Sequence, residues 1–203
     1  MRTLTITLSV AAAVALSGCY SSGGGYKSAD TGTMNKSSVL MSENPMVGGA
    51  PMYANKNIIE NAVNSKDHTT LVAAVKAAGL VETLQGPGPF TVFAPVNSAF
   101  AALPAGAVDN LLKPENKAAL TKVLTCHVVG ANAMSLAIKG MINDDGGKHP
   151  VKTLGGCVLQ ATYSGNKIML TDENGRVATV TVADVKQSNG VIHVIDTVML
   201  PKQ

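Results

Sequence analysis

The sequence predicts an α+β domain carried behind an export leader and a tether. Apolar residues recur at helical spacing from Ile58 to Leu124, and from Pro150 onward the pattern changes to short strands separated by turn residues. All three phenylalanines fall between Gly88 and Gly106 and there is no tryptophan, so the largest rings available to a core sit in one stretch. Residues 1–55 hold a short apolar run and then a glycine- and serine-containing segment with no sustained period.

Composition narrows the function classes. A chain of 203 residues has room for one domain plus a leader and a tail. The formal net charge of +3 and the 14% of charged residues are too small and too scattered for a nucleic-acid partner. An aromatic content of 3% argues against a base-stacking surface and equally against an aromatic sugar platform.

Met1-Arg2 opens a leader whose apolar run, Leu4 to Leu16, is shorter than the ~20 residues a helix needs to span a bilayer. It suits the apolar region of a signal peptide, residues 1–18. Leu16-Ser17-Gly18-Cys19 resembles a bacterial lipoprotein cleavage box; the plainer reading is an ordinary secretory signal with an unrelated cysteine. The box implies that Cys19 carries the lipid and that the protein meets the membrane through it, since several acyl chains anchor stably where one does not. Tyr20, where retention signals place aspartate, points by the same resemblance to the outer membrane. Residues 19–55 then read as a flexible tether.

The domain is expected over residues 56–203. Ile58, Ile59, Ala62 and Val63 form a helical stripe. Asp67 or Thr69 can cap a second helix whose inner face is Leu71, Val72, Val75 and Ala78, closed by Gly79. Leu80, Val81 and Leu84 continue the helical pattern before Gly86-Pro87. Phe90-Thr91-Val92-Phe93 reads as a strand stopped by Pro95, and Asn97 stands as the N-cap of a short helix ended by Pro104. Val108 to Leu112 and Glu115 to Leu124 read as helices, the second clearly amphipathic. A strand over Cys126 to Val129 and a helix over Ala133 to Lys139, capped by Asn132, follow.

Five strands are expected after that: Val151 to Leu154, Cys157 to Thr162, Lys167 to Thr171, Val177 to Val182 and Val191 to Leu200. Ser164-Gly165-Asn166 and Glu173-Asn174-Gly175 are hairpin turns, because glycine and asparagine tolerate positive φ. Helices first and hairpins afterwards imply a sheet with one face covered.

Three segments carry a family resemblance. Gly88 to Gly106, with its TVFAP-x-N-x-AF-x-x-LPAG pattern, is similar to the first signature of fasciclin-like domains. Asn189 to Pro201 is similar to the second, and Leu124 to Gly130 resembles the segment between them. Two departures are Val96, where the family has threonine, and Cys126, where it has tyrosine. The resemblance implies a fasciclin-like fold, a β-sandwich or wedge of short strands with several packed helices, and adhesion or extracellular interaction rather than catalysis. It also implies a partner-binding pair at Asp184 and Val185, matching an Asp-Ile pair implicated in integrin recognition, and a second contribution from His127. Asp184 stands beside a polar turn, so it can equally hold that turn through backbone N–H groups.

The remaining chemistry is sparse. His68 and His149 sit in polar, turn-like sequence and read as solvated; His127 and His193 lie in apolar runs and read as hydrogen-bonded core residues. Strand alternation would send Cys126 and His127 to opposite faces, and no spacing matches a zinc or iron–sulfur motif, so no metal or other cofactor is expected. No serine stands in a nucleophile elbow, no glycine loop precedes a lysine as in a phosphate cradle, and Asp144-Asp145 reads as solvated surface, so no enzyme is expected. Cys126 and Cys157 remain after lipidation; export favours a bridge between them, against two separate buried thiols. The function expected is adhesion or envelope interaction through a protein or cell-surface partner. The alternative is periplasmic binding of a small apolar ligand in a groove beside the sheet.

Overall fold

Most of the segments that read locally as strands and helices form them, and distant contacts decide where each element starts and stops. The computed structural model describes residues 44–202. The leader, Cys19 and the expected tether up to residue 43 lie outside the described residues. Strands β1 (Met46–Val47) and β2 (Ala50–Pro51) make a small hairpin. Helices α1 (Ile58–Ala62), α2 (Thr69–Ala78) and α3 (Val81–Gln85) follow, then β3 (Phe90–Pro95) and α4 (Asn97–Ala101). Next come α5 (Ala107–Leu111), α6 (Lys117–Thr125), β4 (Val128–Val129) and α7 (Ser135–Asp144). The chain ends in β5 (Lys148–Lys152), β6 (Val158–Ser164), β7 (Lys167–Thr171), β8 (Val177–Gln187) and β9 (Gly190–Ile195).

Strands β3 to β9 form one seven-stranded sheet in the order β4-β3-β9-β8-β7-β6-β5. All neighbours are antiparallel except β3 and β9, which run parallel from Phe90 beside Gly190 to Pro95 beside Ile195. The sheet curls until its ends nearly meet: Leu154 N–H donates to the Val128 carbonyl at 2.8 Å and Gly155 N–H to that of Thr125 at 3.0 Å. The expected wedge of short strands with packed helices is therefore what the chain forms.

The expectation of one covered face needs correction. Val92, Ala94, Ile192 and Val194 belong to an apolar cluster shared with the α1–α6 helices, whereas Phe93 and Ile195 belong to a second cluster with Ile138 and Ile142 of α7. Both faces of β3 and β9 are thus buried, which is why these strands read as continuous apolar runs rather than alternating ones. The β6–β7 turn matches its expectation: Gly165 and Asn166 have φ of 55° and 67° between Ser164 and Lys167, the two-residue turn that suits strand twist.

The boundary of the tether also moves. Residues 44–55 were expected to belong to it, but Val47, Ala50 and Met52 are buried in the first cluster. Backbone bonds fasten them: Lys66 N–H donates to the Gly48 carbonyl, and the Asn61 side chain holds Tyr53 through both its N–H and its carbonyl. The ordered unit therefore starts before residue 56.

Two asparagines hold the helical layer. Asn97 lies inside α4 and does not cap it; its Oδ1 accepts from Thr70 N–H at 3.0 Å and its Nδ2 donates to the Lys66 carbonyl at 2.8 Å. It thereby caps α2 from a distance, leaving Val96 at the start of α4 without a side-chain bond. Asn189 is buried, accepts from Ile58 N–H and donates to the carbonyls of Leu84 and Gly86. It ties α1 and α3 to the start of β9. The next residue must be glycine, because a Cβ at Gly190 would sit 1.9 Å from the Phe90 carbonyl oxygen.

Candidate functional site

Asp184 sits in a bulge of β8, in the register shift between Val182 and Val185, with φ of 60°. Aspartate tolerates that left-handed backbone better than a branched residue does. Its Oδ1 accepts from Ser135 N–H at 2.7 Å, and its Oδ2 accepts from the Ser135 hydroxyl. Ser135 begins α7, whose own N-cap Met134 offers no side-chain bond. The carboxylate therefore caps a helix 49 residues away in sequence, where a negative charge also meets the positive end of the helix dipole. Both carboxylate oxygens are thus taken up by Ser135, so Asp184 holds the start of α7 and not the polar turn beside it. It also replaces Asn132 as the expected cap and starts the helix at Ser135 instead of Ala133.

The neighbouring residues continue this network. Asp184 N–H donates to His193 Nδ1 at 3.2 Å, so Nε2 carries the proton and donates to the Ala133 carbonyl at 2.8 Å. The His193 ring is buried and stacks on Phe93 with centroids 5.7 Å apart. Burial lowers its pKa, against the opposing pull of that carbonyl and of Asp184. Val185 is 0% exposed and packs in the first cluster. It offers no surface to a partner, which corrects the expectation placed on the Asp184–Val185 pair.

His127 departs further from its expectation. Cys126 is the C-cap of α6 and β4 begins only at Val128, so neither residue lies in a strand. His127 is 2% exposed, its Nδ1 donates to the Val123 carbonyl at 2.8 Å, and its Nε2 accepts from Met199 N–H at 3.0 Å. The ring joins α6 to the C-terminal segment and is closed to a partner. Cys126 and Cys157 are joined across the seam of the curled sheet with Cα atoms 5.4 Å apart; Cys157 stands just ahead of β6 rather than in it.

Burial pushes the His127 pKa down to about 4, opposed by the Val123 carbonyl and by Asp172. His68 is lowered too; it is 3% exposed, not solvated as expected, with Nδ1 on the Ser65 hydroxyl and Nε2 unpartnered. The unfolded chain takes up protons near pH 6.5 that the fold excludes, so stability is fully present above that pH and is lost as pH falls toward 4. His127 alone accounts for about 3 kcal/mol at the acid end. Urea midpoints should therefore fall steadily as pH drops from 6.5, before most carboxylates titrate. A flat midpoint over that window would show that the imidazoles are not enclosed as described.

Beside the Asp184 cap, α7 and the β6–β7 hairpin enclose a groove of about 330 Å³. Ser135, Leu136 and Lys139 line it from the helix, and Tyr163, Lys167 and Ile168 from the hairpin. Leu136 is 80% exposed, the largest exposure of any described large apolar side chain. Lys139 Nζ stands 4.5 Å from the centre of the Tyr163 ring. Sequence reasoning missed this groove, because the helix was ended at Lys139 and its outward face was not matched to the hairpin. The described residues contain no cluster of histidine, cysteine and carboxylate groups able to hold a metal, and no helix among them is long and apolar enough to cross a membrane.

The Fasciclin domain family matches residues 66–201. Protein sll1483 of Synechocystis sp. is 49% identical over 144 residues, 71% of this chain and 73% of that protein. The cell surface glycolipoprotein MPB83 of Mycobacterium bovis is 31% identical over 159 residues, 76% of this chain and 64% of that protein. Among solved structures, a FAS1 domain pair from the insect cell adhesion molecule Fasciclin I shares the fold with a TM-score of 0.64 and 16% identity, over 71% of this chain and 51% of that one. With its curled seven-stranded sheet, its helical layer and a family match across most of the ordered unit, this chain belongs to the fasciclin domain family.

Proposed function

We propose that this protein is an exported, lipid-anchored interaction module that contacts a protein in the envelope or on a cell surface. In this reading Cys19 is the mature N-terminus, its lipid holds the protein at the outer membrane, and the residues between it and the domain form the tether. The words cell surface glycolipoprotein for MPB83, and cell adhesion molecule for Fasciclin I, support that direction. The observation that carries the reading is the groove at α7, where Leu136 stands in solvent beside a fixed lysine. An isolated exposed leucine is ordinary; its place at the lip of a groove of about 330 Å³ is what supports reading that groove as an interaction surface.

Catalysis has no support in the histidines of the core, since both ring nitrogens of His127 and of His193 are held by backbone groups. The apolar cavity beneath α1, α2 and α3 holds only about 40 Å³. Small-molecule sites occupy several hundred Å³, roughly 300–1,000, so the second reading, an apolar ligand, would have to use the open groove of about 410 Å³ lined by Leu103, Ala107, Leu111 and Leu200 instead.

Two variants in whole cells test the proposal. Leu136→Asp should retain the melting temperature, because the side chain is 80% exposed, and lose attachment to neighbouring cells or host cells. Cys19→Ser should abolish labelling by a radioactive fatty acid and leave an unprocessed precursor. Attachment that survives in Leu136→Asp, or labelling that persists in Cys19→Ser, would remove the corresponding half of the reading.

A further inference from the structure

The geometry points to an acidic protein segment bearing an apolar side chain as the occupant of the groove between α7 and the β6–β7 hairpin, an inference that rests on the interaction reading above. The groove has two cationic walls. Lys139 reaches across from the helix and is held 4.5 Å over the Tyr163 ring, while Lys167 stands at the first position of β7. Neither has a carboxylate within ion-pair distance, since the pair between His149 and Asp145 stands alone among the described residues. The carboxylate that could neutralise the groove, Asp184, is turned onto Ser135 and accepts two hydrogen bonds there.

The apolar half of the site is equally specific. Leu136 projects at the lip and supplies nearly all of the exposed apolar surface, since Ile168 at the floor is 4% exposed and belongs to the second cluster. A partner with carboxylates and a branched apolar residue would satisfy both halves. An acidic polysaccharide would engage the lysines and leave Leu136 unused, so the combination favours a protein. The ammonium over the ring is also partly preorganised, which reduces the ordering cost on binding. Exposed charge pairs contribute little singly, but covering them with a partner strengthens and steers the contact.

The test uses the full mature chain, isotopically labelled, and a synthetic peptide alternating aspartate and leucine. Addition of the peptide should shift backbone amide resonances of the start of α7, the β6–β7 hairpin and the middle of β8, and added salt should weaken the effect. Lys139→Gln combined with Lys167→Gln should weaken binding roughly fivefold to tenfold at an unchanged melting temperature. Equal binding of the same peptide with asparagine for aspartate would overturn the inference, as would binding of polygalacturonate but not of the peptide, shifts confined elsewhere, or no shifts. Cell attachment separates the two levels. Loss of attachment in Leu136→Asp with full attachment in the double lysine variant leaves the interaction reading and overturns the acidic partner; unchanged attachment in both overturns both.

Discussion

Phe93→Ala should lower the free energy of unfolding by about 3–5 kcal/mol. Phe93 is 1% exposed at the centre of β3 and packs in the second cluster with Ile138, Leu159, Leu170, Ile195 and Met199. Its ring also stacks on His193, so truncation leaves a void against an imidazole pinned by the Asp184 N–H and the Ala133 carbonyl. The pinned ring cannot move in to fill the space, which places the cost toward the upper part of the range. The measurement is the denaturant midpoint at an unchanged slope. Phe90→Ala should cost visibly less, since Phe90 is only partly buried at the edge of the first cluster. Equal small shifts in the two variants would mean that the rings of β3 do not organise the core.

What the sequence made legible is what short-range chemistry decides. Phe90 to Phe93 followed by Pro95 marks a strand and its end within six residues, and β3 runs from Phe90 to Pro95. Lys167–Thr171 is a strand in both readings, because Gly165 and Asn166 fix the turn before it. The failures share a different cause. Asn189, in the polar stretch Gln187-Ser188-Asn189-Gly190, reads as a turn residue, yet it makes three bonds to elements more than 100 residues earlier, and nothing in its neighbours announces those partners. Cys126-His127 is apolar and short, so its period could not separate a strand from a helix end. The hairpin at residues 46–51 carries glycine and proline, and only its contacts with α1 and the turn at Lys66 show that it folds. Asp184 is the instructive case for the candidate site. The sequence offers a partner contact or a hold on the adjacent turn, and the observed role is neither: a cap on a helix 49 residues earlier becomes apparent only when β8 and α7 meet.

Loss of the Cys126–Cys157 bridge should lower stability by about 3–4 kcal/mol in the chain-entropy account, with the bond spanning a sequence separation of 31. Its position explains why the folded state should change little. The seam it crosses is already held by Leu154 N–H on the Val128 carbonyl and by Gly155 N–H on the Thr125 carbonyl. Gly155 also fits closely, since a Cβ there would meet the Cys126 backbone nitrogen at 2.7 Å. The native contacts therefore remain when the sulfurs are separated, and the effect falls chiefly on the unfolded chain, which gains freedom. Two signatures follow for a Cys126→Ser, Cys157→Ser variant. Its denaturant midpoint should drop, and its slope should rise, because an unbridged unfolded chain exposes more surface. Its folded spectrum should match that of the native protein. Cys126 and Cys157 are 1% and 3% exposed, so reductant should act on the native protein only as fast as the seam opens. Intact-mass measurement after alkylation without reductant decides the starting point: two freely modified thiols in the native protein would exclude the bridge, and an unchanged midpoint in the double serine variant would exclude its contribution.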